Sequence, residues 1–508
     1  MQKITINGQD LTLEQLYAVA FGRIKVIIDP QANERMQRSR DCIEEILDRG
    51  RVVYGVNTGF GKLANVHIKP KEIEALQHNL ILSHACGIGD PIPEPVVRAA
   101  MLLKINALCK GYSGSRPVVA KYLCELLNHQ ITPCIPEKGS VGASGDLAPL
   151  AHMTLVLLGM GEACVNGEKT SGEKALGMAN LSPLVLKAKE GLAIINGTQI
   201  TTAFAALALF RAQNLVKTAD IAGALTVESL LHTKTAFDER IQRARGFQHQ
   251  IKVAGNLTKL LLESQIVSSH QDCDKIQDPY SSRCIPQVHG IVRQALNFVR
   301  EVIDTELNAA TDNPLVFAED QSVLSGGNFH AQPISLASDT LAIALAQLSN
   351  ISERRLENLM DSVQSGLPPF LASDSGKNSG FMMAQVTAAA LVSENKVLCH
   401  PASVDSIPTS ANQEDFVSMG THAARKAFEV LQNAETIIGI ELLAGCQALD
   451  FRGHRQPGRG TRVAYETIRK IIPTMPRDRL FQKDLMKIKK IIKENNIVQN
   501  VEKVIGSL

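Results

Sequence analysis

Tryptophan is absent, and aromatic residues make up only 4% of the 508-residue chain. That leaves little material for the stacking platforms that grip bases or sugars. Neither sign of charge is in excess. The 53 Lys and Arg stand against 51 Asp and Glu, for a net charge of +2. Nothing therefore draws the chain to nucleic acid or to an anionic membrane. No stretch reaches about 18 uninterrupted apolar residues, the length a membrane span needs. The richest, Leu147 to Gly161, is broken by Pro149 and His152. The N-terminal Met1–Gly8 carries no apolar leader core and no cleavage site, so a cytoplasmic protein is expected. The ten cysteines include no C-x-x-C pair. They read as free, mostly buried thiols of a reducing compartment rather than as zinc ligands or a disulfide framework.

What is present is ordinary for a globular enzyme: 44% apolar and 20% charged residues. The start predicts a short strand through Ile4 and Ile6, a turn at Asn7-Gly8, and a helix opened by a Thr12/Gln15 capping box. From about 30 to 190, Gly and Pro recur, helices should be short, and loops such as Tyr54–Gly61 and Lys138–Pro149 separate them. The texture then changes. Residues 184–278 and 409–456 contain no proline, and long helices need such intervals. Thr201–Leu231 is Ala/Leu-rich on nearly all sides. Leu341, Ala344, Leu345, Leu348 and Ile351 mark one helical face, and Phe481, Leu485, Ile488 and Ile492 another. The expected fold is mainly α: a mixed N-terminal domain over 1–230, then a bundle of long helices and a C-terminal helical region over 231–508.

Two nucleotide motifs fail. Tyr54–Lys62 has Val56 and Leu63 where a phosphate loop needs Gly and Ser/Thr. Gly159-Met160-Gly161 is followed by Cys164 where a dinucleotide fingerprint needs a third glycine. No H-E-x-x-H or G-x-S-x-G occurs, so no metal site and no external cofactor are expected.

The informative segment is Gly139-Ser140-Val141-Gly142-Ala143-Ser144-Gly145-Asp146-Leu147-Ala148-Pro149-Leu150-Ala151-His152-Met153. It resembles the signature of the aromatic amino-acid ammonia-lyases and their related aminomutases. The resemblance runs along essentially the whole chain. It includes Tyr54–Gly61, Leu82-Ser83-His84, Asn196-Gly197-Thr198, Gln277–Arg283, Gly326–His330 and Asn412–Asp415, in the family's order. It implies an ammonia-lyase/fumarase-like helical fold and a homotetramer whose sites draw on three chains. It also implies a 4-methylidene-imidazol-5-one (MIO) formed by the protein itself from Ala143, Ser144 and Gly145. The Gly145 nitrogen would attack the Ala143 carbonyl, where small residues let the backbone compress. Ser144 would then lose its hydroxyl as water.

The resemblance also implies roles. The MIO electrophile would activate the substrate amine for departure, and Tyr54 would be the general base. Tyr280 would assist in proton transfer or ordering. Arg283 would hold the substrate carboxylate in a planar fork. Asn196 would stand against the MIO carbonyl and the substrate, with Gln277 as a polar neighbour and Phe329 near the ring. His84 and Glu414 would select the ring. Glu following Gln413 suits an imidazole N–H, so L-histidine is the expected substrate and trans-urocanate the product. A tyrosine or phenylalanine lyase or aminomutase is the alternative. Three positions depart from the histidine-type pattern: Phe416, Gln332 and His289.

Overall fold

The computed structural model describes residues 3–270 and 276–508. The chain forms two compact units, each discontinuous in sequence. The first comprises Met1–Phe210, Arg300–Asp339 and Pro401–Arg425; the second Arg211–Val299, Thr340–His400 and Lys426–Leu508. This is a different division from a single cut near residue 230.

Every described strand lies in the first unit. Lys3–Ile6 pairs in parallel with Lys25–Ile28, and Glu162–Val165 runs antiparallel between Ile131–Pro133 and Glu168–Ser171. The Thr12/Gln15 capping box forms as expected and starts helix Leu13–Phe21. Helix Glu94–Cys109 is buried along most of its length. Met101, Leu102 and Ile105 are sealed from solvent, and each such side chain contributes about 1.5–3 kcal/mol of burial. Helix Leu147–Leu157 begins two residues before Pro149. Proline is tolerated there because the first turn has no intrahelical use for its missing N–H.

The proline-free intervals hold the longest helices, Gln199–Ser229 and Gly420–Asp450, 31 residues each. The Leu341–Ile351 face lies in Gln332–Met360 and is buried. That helix is long and apolar enough to cross a membrane by length and composition, yet 67% of its apolar window is buried inside the protein, as in a core helix. Phe481–Lys493 forms the expected amphipathic helix.

Within the second unit, buried charges form one network. Asp220 accepts from His289 Nδ1 (2.8 Å), Asn256 (2.9 Å) and Arg293. Arg355 grips Glu441 with two guanidinium nitrogens and also reaches His289 Nε2 (3.5 Å). His289, a departure in the sequence, is thereby a fully buried network member.

Candidate active site

A cavity of about 830 Å³ opens in the first unit. Its wall collects residues from seven separated stretches. Tyr54 comes from the Gly-rich loop before Gly61–Leu63, and His84 from the end of helix Ile73–His84. Ala143 and Ser144 precede helix Leu147–Leu157. Asn196 follows the short helix Glu190–Ile195. Asn313, Phe329 and Glu414 come from loops.

The Ala143-Ser144-Gly145 loop is compressed from several sides. Gly145 has φ +72 and pairs with Gly197; a Cβ on it would lie 2.2 Å from the Gly197 carbonyl oxygen. Only glycine fits both the conformation and the approach. On the other flank, the Ser418 hydroxyl donates to the Gly142 carbonyl (2.9 Å) and the Met419 N–H to Val141 (2.8 Å). Asp146, fully buried, accepts from the Thr201 N–H (2.9 Å) and from the Thr201 and Thr421 hydroxyls (2.7 Å each). Burial raises its carboxyl above the usual range, an effect these bonds only partly offset.

Glu414 stands directly over this loop. The Ser144 hydroxyl donates to its Oε1 (3.1 Å), and the Thr409 hydroxyl donates to its Oε2 (2.7 Å). A backbone bridge between Thr409 and Glu414 fixes the hairpin that carries the carboxylate. The His84 ring exchanges a hydrogen bond with Ser83 Oγ (3.1 Å). Burial lowers the His84 pKa, while the Leu80 carbonyl and the Glu414 charge pull the other way, so the net effect favours the uncharged ring. Three residues on, the Gly87 N–H donates to His152 Nε2 (3.0 Å), tying the end of His84's helix to the helix after the Ala-Ser-Gly loop. The Gly61 N–H donates to the Tyr54 hydroxyl (3.3 Å) and holds the phenol oxygen in place. Phe416, 62% exposed, stacks on His330 with ring centroids 5.9 Å apart. Gln332 donates to the Ser403 carbonyl (3.1 Å).

The expected residues thus divide. Tyr54, His84, Ala143, Ser144, Asn196, Phe329 and Glu414 share the cavity wall, and Gly145 closes the loop behind it. Gln277, Tyr280 and Arg283 belong to the second unit and are not among the lining residues. There Tyr280 is 73% exposed. The Arg283 guanidinium lies 4.9 Å from the Tyr280 ring centroid and donates to the Asp278 carbonyl (2.7 Å).

Several contributors were not found by sequence reading. Thr409 orients Glu414. Beneath Asn196 lie Lys104, Lys189 and Asp312, all buried. Lys104 Nζ donates to the carbonyls of Asn196 (2.7 Å) and Ala193 (3.2 Å). Burial brings its pKa down to about 7, with Asp312 opposing and Lys189 adding to the shift. A lysine amid Met101-Leu102-Leu103 and Ile105 was the available signal, since an unpaired charge in an apolar run is costly. Among the described residues, no cluster of three His, Cys, Asp or Glu is arranged to hold a metal.

The comparisons agree with one another. The sequence model of the aromatic amino acid lyases matches residues 11–470. The histidine ammonia-lyase of Alkaliphilus metalliredigens (strain QYMF) is 50% identical over 508 residues, covering all of both chains. Among solved structures, histidine ammonia-lyase from Trypanosoma cruzi has a TM-score of 0.92 at 40% identity, covering 99% of this chain and 95% of its own. Tyrosine aminomutase from Streptomyces globisporus has a TM-score of 0.93 at 34% identity, covering 99% of each. With the mainly helical fold and the family model spanning most of its length, the chain belongs to the aromatic amino acid lyase family.

Proposed function

We propose that this protein eliminates ammonia from L-histidine to give trans-urocanate, the opening step of histidine degradation. The observation that carries the reading is the Glu414 carboxylate, anchored by Thr409 and set against the Ser144 hydroxyl in a cavity that also holds His84. An imidazole N–H needs such an acceptor, whereas a phenyl ring does not. The full-length identity to a histidine ammonia-lyase supports the same substrate.

The residues present fit an MIO formed from Ala143, Ser144 and Gly145. The glycine has no room for a Cβ, and the loop is clasped by Ser418, Met419, Thr201 and Thr421. When formed, that group supplies an electrophilic carbon that makes the substrate amine a better leaving group. The chain's own residues do the rest. Tyr54 removes the β-proton, Glu414 orients the ring and exchanges protons with it, and Phe329 walls the ring in. Arg283, Tyr280 and Gln277 act on the substrate from neighbouring copies of the chain in a homotetramer. Their place outside the lining of this cavity supports that assembly. A cytoplasmic location belongs to the same reading, supported by Cys42, Cys109, Cys124 and Cys446 being buried as free thiols.

Phe416 favours a second reading, a phenylalanine- or tyrosine-directed lyase or aminomutase, because it puts an aromatic face in the cavity wall. Parallel assays with histidine, tyrosine and phenylalanine separate the two. Urocanate should form fastest; faster cinnamate or coumarate would overturn the histidine assignment.

A further inference from the structure

Asn196 is held by a set of contacts that fixes which end of its amide is free. Its Nδ2 donates to Asp312 Oδ1 (3.3 Å) and to the Asn313 carbonyl (3.1 Å). Both partners are acceptors only, so the nitrogen must face them and both of its N–H groups are used. Its Oδ1 is buried and has no hydrogen-bond partner among the described residues. Asp312 cannot turn away. Its Oδ2 takes Lys189 Nζ (2.7 Å), and its Oδ1 also accepts the Asn313 N–H (2.7 Å). Lys189 is itself fully buried and sits at φ +71, a conformation costly for a residue with a Cβ. Lys104 pins the Asn196 carbonyl from behind. Lys104 thus holds the main chain of Asn196, while Lys189, Asp312 and a strained backbone hold its side-chain amide in the cavity wall.

We propose that the Lys189–Asp312 pair is a positioning device that makes Asn196 present an acceptor and not a donor. The substrate group it recognises is then an N–H donor, the α-amine, while the carboxylate is left to other residues. A buried acceptor without a donor is costly, and an incoming amine supplies the missing partner. This rests on the histidine reading above.

The test uses two competitive probes on the full-length enzyme. Histamine has the ring and the amine without the carboxylate; imidazole-4-propionate has the ring and the carboxylate without the amine. In Asp312→Asn, Lys189 draws the new side-chain oxygen, so the new NH2 faces Asn196 and its amide loses its enforced orientation. The Ki for histamine should rise at least tenfold, while that for imidazole-4-propionate changes less than twofold. The double variant Lys189→Met/Asp312→Asn frees the new amide to turn its oxygen to Asn196, and should recover histamine binding. Intact mass should show the same loss of two waters in wild type and variants, so that an immature loop is not the cause. Should Asp312→Asn fail to fold, Asn196→Ala leaves the ion pair in place and must show the same selective loss of histamine. An equal change for both probes, no change, or a loss confined to imidazole-4-propionate overturns the proposal. Urocanate production by wild type is scored separately, so the histidine reading stands or falls on its own.

Discussion

Two buried clusters, one in each unit, treat charge in opposite ways. In the helical unit, Asp220 and Glu441 face Arg293 and Arg355, with His289 between them. Burial alone would raise the Asp220 carboxyl, but Arg293 and His289 bring it below the usual range. Burial lowers the His289 pKa, with Asp220 and Glu441 pulling the other way. Around the cavity loop, several buried groups outside the Lys189–Asp312 pair are left displaced. Burial raises Asp146 and Glu306, Lys104 falls to about 7, and Asn196 keeps an oxygen without a partner among the described residues. A closed network holds a fold together. Polar groups displaced from their ordinary state beside a cavity are where chemistry is expected.

That contrast can be broken by substitution. The largest effect belongs to the cavity loop: Ser144→Ala should leave the unfolding midpoint nearly unchanged while removing nearly all activity. Retained turnover in a urocanate assay would remove Ser144 from the chemistry. In the helical unit the outcome should reverse. Arg355→Met leaves Glu441 buried and unpaired, which costs about 3–5 kcal/mol. A large fall in the urea midpoint, with normal activity per folded molecule, is expected. Replacing Arg355 and Glu441 together by apolar residues should cost much less.

Glu414→Ala comes next. It should lower histidine turnover by roughly tenfold to a hundredfold, the 1–3 kcal/mol of an unpaired polar ring. Intact mass should show the same loss of two waters from the unprocessed chain as in wild type. The smallest effect is a slope. Lys104 has a folded pKa of about 7 against an unfolded value of 10.5. Between these values the unfolded chain binds the extra proton, so stability rises with pH. Wild type should therefore gain on Lys104→Met by about 1 kcal/mol or more between pH 7 and 9, read from urea midpoints. A difference independent of pH would mean that Lys104 stays charged in the fold.

Short-range chemistry was legible in the sequence. The Thr12/Gln15 box, the Ala143-Ser144-Gly145 loop and the proline-free helices each depend on residues within one turn or one interval. What escaped notice lies far apart in the chain. Lys189 meets Asp312 across 123 residues and Lys104 meets Asn196 across 92, and no periodicity records such a meeting. Thr409 escaped for another reason: its role depends on a hairpin whose two sides pair only at Thr409 and Glu414. The compact units cannot be read from texture either, because segments 300–339 and 401–425 return to the first unit after long excursions.

The clasp on the Ala-Ser-Gly loop has a consequence for synthesis. Asp146 is secured by Thr421, a residue 275 positions further along, and Ser418 and Met419 press the same loop. Domains fold as the ribosome delivers them, but this loop cannot be fully clasped until most of the polypeptide has emerged. A chain stopped short of Ser418 carries all of Ala143-Ser144-Gly145 and none of this pressure on its Gly142 flank. On the proposed reading, cyclisation of Ala143-Ser144-Gly145 is therefore expected only once Ser418, Met419 and Thr421 have been made.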